Sequence, residues 1–218
     1  MLRVSHFIKI CFNSKFVEDQ YHGGGSSQGR PIIVVPGSTE YPGNICLKNA
    51  VNFLRDGQFI EPDAVKFSTE QEKYENKKIF TKKICDQEVI FEIYDSTQQF
   101  TEKHWQRVVC LFTSGEVFQL KDWPPKDNDG HQQLTEKEKQ TKQVNLFHRV
   151  KGFYLRYQDI LEPKVVKSWN VSRMVIQRNK RHTDITVISQ IWKEMETFLK
   201  AEKFRYDEFD KGKKAGMM

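Results

Sequence analysis

The apolar run Ile32-Ile33-Val34-Val35 is followed at once by the turn Gly37-Ser-Thr-Glu-Tyr-Pro-Gly-Asn44, after which Leu47, Ala50, Val51 and Leu54 recur at helical spacing. A short buried-type strand, a glycine-bounded turn and a helix form the frame on which α/β proteins hold nucleotide phosphates, so this stretch restricts the fold more than any other. The chemistry of a phosphate loop is missing from that frame. Backbone N–H groups must wrap the phosphates, a Lys must meet their charge, and a Ser or Thr hydroxyl must bind Mg²⁺. Pro42 has no N–H, and no Lys-Ser or Lys-Thr pair follows Gly43. Such a frame without its ligating residues points to a binding module with no cofactor, not to an enzyme.

The rest of the chain extends the same architecture. Residues 1–29 read as a flexible arm ending in the linker Gly23-Gly24-Gly25-Ser26-Ser27-Gln28-Gly29. The helix after the turn is expected to take Asn44 as its N-cap, to run to about Leu54 and to stop before Gly57. Residues 61–77 are polar and read as loop. Ile79 to Ile84 and Val89 to Tyr94 are β-rich runs around Cys85-Asp86-Gln87-Glu88, the pattern of a hairpin. Arg107-Val108-Val109-Cys110-Leu111-Phe112 is continuously apolar, as expected for a central strand covered on both faces, and Gly115 ends it.

Val117-Phe118-Gln119-Leu120 reads as a short strand before Trp123-Pro124-Pro125, and residues 126–142 as a polar, solvated insertion. Phe147, Val150, Tyr154 and Tyr157 recur at helical spacing and predict a helix over 144–157, with Val171 to Ile176 the next strand. An amphipathic helix closes the domain, with Ile188, Ile191, Trp192, Met195 and Leu199 on one face and Glu196 beside Lys200 on the other. Past Lys203 the chain reads as frayed, leaving 204–218 as a disordered basic tail. Alternating strands and helices predict one three-layer α/β domain over 30–203, with the 79–94 hairpin as an antiparallel edge.

The net charge of +6 is unevenly placed: residues 1–162 hold 22 Lys+Arg against 22 Asp+Glu, and residues 163–218 hold 13 against 7. An acidic partner is therefore expected at the C-terminal quarter, although a solubilising surface would give the same count. Cys11, Cys46, Cys85 and Cys110 form no C-x-x-C pair, so no zinc cluster is expected. Cys46, Cys85 and Cys110 lie among apolar or strand-like neighbours and read as buried, reduced thiols of a cytosolic or nuclear compartment. No apolar run approaches the roughly 18 residues of a membrane span, and His6 and Lys9 interrupt the N-terminal stretch, so neither membrane nor secretion is expected.

Several motifs in fixed order resemble the C-terminal domain of the parafibromin family, subunits of the RNA polymerase II-associated factor complex. They are Arg30-Pro31-Ile32-Ile33-Val34-Val35-Pro36, Trp105-Gln106-Arg107-Val108-Val109, Phe118-Gln119-Leu120-Lys121-Asp122-Trp123-Pro124 and Phe153-Tyr154-Leu155-Arg156-Tyr157, read as part of a helix. Trp169-Asn170-Val171, Lys180-Arg181-His182 with Asp184, and Trp192 complete the order, so the resemblance covers residues 30 to 203. It implies a Ras-like (small-GTPase-like) fold without GTPase activity, with a degenerate phosphate loop. It implies a nuclear interaction domain that docks on chromatin and on subunits of the RNA polymerase II elongation complex. The family also has a long N-terminal portion that anchors it to the other subunits. Only 29 residues precede the domain here, and the 126–142 insertion is longer than the family needs.

Two further GTPase elements fail alongside the phosphate loop. Asp95-Ser96-Thr97-Gln98 keeps the Asp of Asp-x-x-Gly and lacks its Gly, so Asp95 reads as a turn residue. Asn179-Lys180-Arg181-His182 begins like the base-selecting Asn-Lys-x-Asp, but has His where the Asp belongs, and Asp184 comes two residues late. His104 and Cys110 make no convincing catalytic pair, because a thiol in a buried strand is inert.

The candidate binding residues are Arg173, Arg178, Lys180, Arg181 and His182. Clustered cations at a strand end suit phosphate or phosphoserine on acidic tails. A purely structural reading stands beside this one, with Arg181 paired to Asp184 and His182 capping the last helix. Trp105, Trp123, Trp169 and Trp192 could also stack bases, which would make the chain a non-specific, free-standing nucleic-acid binder using its basic C-terminal quarter.

Overall fold

The computed structural model describes residues 30–37, 43–66, 75–84, 87–120, 123 and 146–215, with backbone alone from 202 onward. Six strands form one mixed sheet in the order β2-β3-β1-β4-β5-β6. These are β1 (Ile32–Val34), β2 (Lys77–Ile84), β3 (Gln87–Tyr94), β4 (Val108–Thr113), β5 (Lys151–Tyr157) and β6 (Val171–Ile176). β1 runs parallel to β3 and β4, β5 is parallel to β4 and β6, and β2 alone is antiparallel. This is the Ras-like arrangement, with the expected hairpin at its edge. The predicted arm at 1–29, the insertion at 126–142, Pro42, Cys11 and Cys85 lie outside the described residues.

Alternation along β1 makes the layers. Ile33 packs on one side with Phe53, Phe91, Phe153, Ile188 and Trp192, under α1 (Ala50–Asp56) and α3 (Asp184–Ala215). Ile32 and Val34 pack on the other with Leu111, Trp123, Phe147, Tyr154 and Trp169, alongside α2 (Glu102–Trp105) and a helical turn at 146–149. The indole N–H of Trp192 donates to the Leu54 carbonyl at 2.9 Å, locking α3 onto α1. Cys46 and Cys110 are buried free thiols, as expected.

Four local expectations change. The predicted helix at 144–157 is mostly strand β5. Phe153, Leu155 and Tyr157 enter one core and Tyr154 the other, so two-sided burial, not helical spacing, governs the segment. Gly152 admits the strand to its place: a Cβ there would lie 2.5 Å from the Phe147 ring and 2.6 Å from Val171. Asn44 caps no helix, because α1 starts at Ala50. Asn49 is used instead to close the loop, accepting the Cys46 N–H at 2.9 Å and donating to the Ile60 carbonyl at 2.8 Å. α1 then ends at Gly57, whose φ of 73° is left-handed.

Val117–Leu120 is a 3-10 turn, not a strand. Gln119 bends it back onto β4 by accepting the Ser114 N–H and donating to the Phe112 carbonyl, both at 2.9 Å. The last helix continues past Lys203, where fraying was expected, to Ala215.

Candidate functional site at the carboxyl ends of the strands

Ligands of open α/β sheets bind beyond the carboxyl ends of the parallel strands. Here that end is built around Tyr157, the last residue of β5. Its hydroxyl donates to Glu61 Oε1 at 2.6 Å, and the Arg178 guanidinium lies 3.8 Å from its ring centre. Burial, helped by the Glu61 carboxylate, pushes the phenol up to about 12, so it stays a hydrogen-bond donor at any physiological pH. Arg178 also reaches Asp159 at 3.0 Å and Glu61 at 3.5 Å, closing a Tyr157–Glu61–Arg178–Asp159 array.

Arg181 lies behind this array, over the Phe59 ring, and donates to the Phe59 carbonyl at 3.0 Å. It also pairs with buried Asp184, which accepts the Phe59 N–H at 3.2 Å. Burial pushes the Asp184 carboxyl up despite those two partners. The structural reading of Arg181 therefore describes its contacts.

The structure does not bring the five candidate residues into one patch. Odd and even residues of β6 face opposite sides of the sheet, so Arg173 lies away from the Tyr157 array. It meets Glu162 at 3.1 Å and the Val166 and Lys167 carbonyls. Arg178, Lys180, Arg181 and His182 remain together at the end of β6, with Lys180 and His182 exposed. The acidic partners Glu61 and Asp159 escaped sequence analysis because they sit on loops remote in sequence from β6. Only the fold makes them neighbours of Arg178.

The nucleotide motifs can now be located. Gly43, the last glycine of the loop, has φ 82° and packs against the Tyr157 backbone. Asp95 lies in a bend just past β3, two residues before the turn that the Phe100 N–H closes onto the Thr97 carbonyl, and burial pushes its carboxyl up. Asn179–His182 follows the sixth strand. β5 ends at Tyr157, and Gln158 and Asp159 follow it in a turn.

Trp123, Trp169 and Trp192 are buried, and Trp105 packs edge-on against Trp123 at 4.7 Å, so these rings serve the core. Burial pushes the Cys110 thiol up, and His104 Nδ1 is engaged by Thr101, which leaves neither suited to nucleophilic chemistry.

Residues 27–198 match the family described as RNA pol II accessory factor, Cdc73 family, C-terminal. The chain is 31% identical over 186 residues to the Arabidopsis thaliana protein CDC73 homolog, covering 83% of this chain and 41% of that protein. It is 29% identical over 179 residues to cell division control protein 73 of Schizosaccharomyces pombe, covering 78% and 42%. A solved structure described as the conserved domain of yeast Cdc73 superposes with a TM-score of 0.60 at 25% identity, over 78% of this chain and 96% of that one. The chain thus spans less than half the length of the curated relatives it matches. With its Ras-like sheet and the motif order that carried the parafibromin resemblance, the chain belongs to the Cdc73 family of RNA polymerase II accessory factors.

Proposed function

We propose that this chain is a non-enzymatic interaction domain of the RNA polymerase II elongation machinery, acting in the nucleus within the RNA polymerase II-associated factor complex. The observation that carries this reading is the Tyr157–Glu61–Arg178–Asp159 array. It occupies the end of the sheet where a GTPase holds its nucleotide. Family membership supports the machinery, and the array supports the lack of hydrolysis. Isothermal titration with GTP and GDP in Mg²⁺ is expected to give no heat of binding. Micromolar affinity for either nucleotide would sink the non-enzymatic reading.

The docking ligand we favour is a phosphorylated acidic tail of the polymerase or of an elongation factor, reached on chromatin. Lys180 and His182 are exposed beside Arg178 at the end of β6, and together they would meet a phosphate. Arg178→Glu would set a carboxylate against Glu61 and Asp159, so Arg178→Gln with Lys180→Glu is the cleaner test. Each charge-assisted contact contributes about 1.5–3 kcal/mol, so this pair of changes should weaken binding of a phosphorylated polymerase-tail peptide more than tenfold. Unchanged affinity in a folded variant would reduce the cluster to a solvated surface. Salt-sensitive retention on DNA or RNA without any protein partner would favour the nucleic-acid reading instead.

A further inference from the structure

Arg156 belongs to the Phe153-Tyr154-Leu155-Arg156-Tyr157 motif, yet it takes no part in the Tyr157 array. Phe153, Leu155 and Tyr157 enter one core and Tyr154 the other, so Arg156 faces the Tyr154 side of the sheet. Three carbonyls pin its Nη1: Ile160 at 2.7 Å, Tyr157 at 2.9 Å and Gln158 at 3.3 Å. Its Nε is buried and has no hydrogen-bond partner. Buried N–H groups left unpaired are rare. This one lies on the edge of the guanidinium, Nε beside Nη2, that grips an oxyanion side-on.

A pocket of about 420 Å³ is lined by Arg156 together with Asp159, Ile160, Leu161, Glu162 and Lys167. Both acids are already engaged: Arg178 takes Asp159 at 3.0 Å, and Arg173 takes Glu162 at 3.1 Å. Lys167 is exposed, and no ion pair among the described residues holds its Nζ. Four cations around the pocket thus face two carboxylates, and the charges of Arg156 and Lys167 are left without a counter-ion.

We propose that this pocket is a binding site for a phosphate monoester, whose oxygens take Nε and Nη2 of Arg156, with Lys167 as the second cation. Charge selects the ligand. A phosphate ester brings about −1.5 to −2 charges at neutral pH and three acceptor oxygens, against the single charge of a carboxylate. The three carbonyls fix the guanidinium before the ligand arrives, so little side-chain freedom is lost on binding. Leu161, 91% exposed beside Ile160, offers apolar surface to the group that carries the phosphate, which favours an ester over inorganic phosphate. The ligand needs no contact with Arg178, Lys180 or His182, so the site does not rest on the docking function proposed above.

The probe is phenyl phosphate, titrated into the full chain and followed through arginine Nε–H and backbone amide signals. Saturable binding at millimolar concentration is expected, with the Arg156 Nε–H and the amides of 158–167 responding together. Benzoate, the matching carboxylate, should bind about fivefold more weakly, and inorganic phosphate should also be weaker. Lys167→Gln alters an exposed position and should weaken phenyl phosphate about fivefold. Arg156→Lys keeps the charge, removes the side-on edge and should abolish the amide shifts. That variant also loosens the carbonyl anchors, so Lys167→Gln is the decisive one. Lys180→Glu should leave the response in place, which separates this pocket from the docking cluster. The proposal is overturned by any of these results: no response at Arg156; benzoate or inorganic phosphate binding as tightly as the ester; indifference to Lys167→Gln; loss on Lys180→Glu; or a response confined to Arg178, Lys180 and His182.

Discussion

Replacing Arg107 with Ala should cost about 3–5 kcal/mol of folding stability, because it strands a buried carboxylate. Glu92 sits on β3 with 0% of its side chain exposed, between Arg107 at 3.1 Å and Lys77 at 3.3 Å. Tyr94 donates a third hydrogen bond at 3.4 Å. Arg107 also donates to the Arg30 carbonyl at 2.8 Å, so one guanidinium ties the start of the domain to the start of β4. After the substitution the half-exposed Lys77 is Glu92's one remaining cation among these partners, in a site closed to water. Arg107→Lys should rescue only part, since Nη1 of the guanidinium serves the Arg30 carbonyl and Glu92 while its Nε donates to the Lys103 carbonyl, and a lysine has no second nitrogen for that last contact. Glu92→Met with Arg107→Met should recover much of the loss, because no charge is then left buried. Urea unfolding of the set decides the matter. A cost below about 1 kcal/mol for Arg107→Ala would place the pair among weak surface bridges.

Gly43→Ala should lower the melting temperature by about 6–12 °C, which corresponds to about 3 kcal/mol in a domain of this size. An alanine at φ 82° is strained by about 1–2 kcal/mol. Its Cβ would also stand 2.6 Å from the Tyr157 backbone nitrogen and 2.8 Å from the ring. The ring could turn aside, but the backbone of a central strand cannot, so overpacking adds about 1–3 kcal/mol. If Gly43 instead served close approach of a ligand, the substitution would leave the melting temperature alone and remove binding. The glycine that looks in sequence like a remnant of a phosphate loop is thus expected to behave as a packing residue of β5.

Arg107 and Gly43 also mark where sequence reasoning reaches. Arg107 was visible as part of a family motif, but its role required Glu92, which reads in sequence as one polar residue of an alternating strand. Glu92 is buried because β2 and the segment before β4 bring cations over it, and nothing within a few residues announces that. The same limit explains β5. Phe147, Val150, Tyr154 and Tyr157 fit a helix by spacing, while Phe153 and Leu155 fit a strand, and a strand with both faces buried has no polar face to break the tie. Once β4 and β6 flank the segment, hydrogen bonding on both edges makes it a strand. Asn49 shows the reverse case, where loop closure to Ile60 delays a helix that the apolar spacing would start earlier.

By itself the sequence determined what local chemistry controls: the β2–β3 hairpin, the continuous apolar β4, the amphipathic last helix, the failure of the phosphate loop, and the family. All but the family depend on residues within one or two turns of each other, where side-chain period and the presence or absence of a donor decide the outcome; the family rests on the order of short motifs along residues 30 to 203. Only the tertiary structure decided which cations meet carboxylates and which line a pocket. Arg178 is held by Glu61 and Asp159 across the end of the sheet. Arg156 and Lys167, from different elements, line one pocket. Charge acts through space and pockets exist only in an assembled fold, so neither can be read from order along the chain.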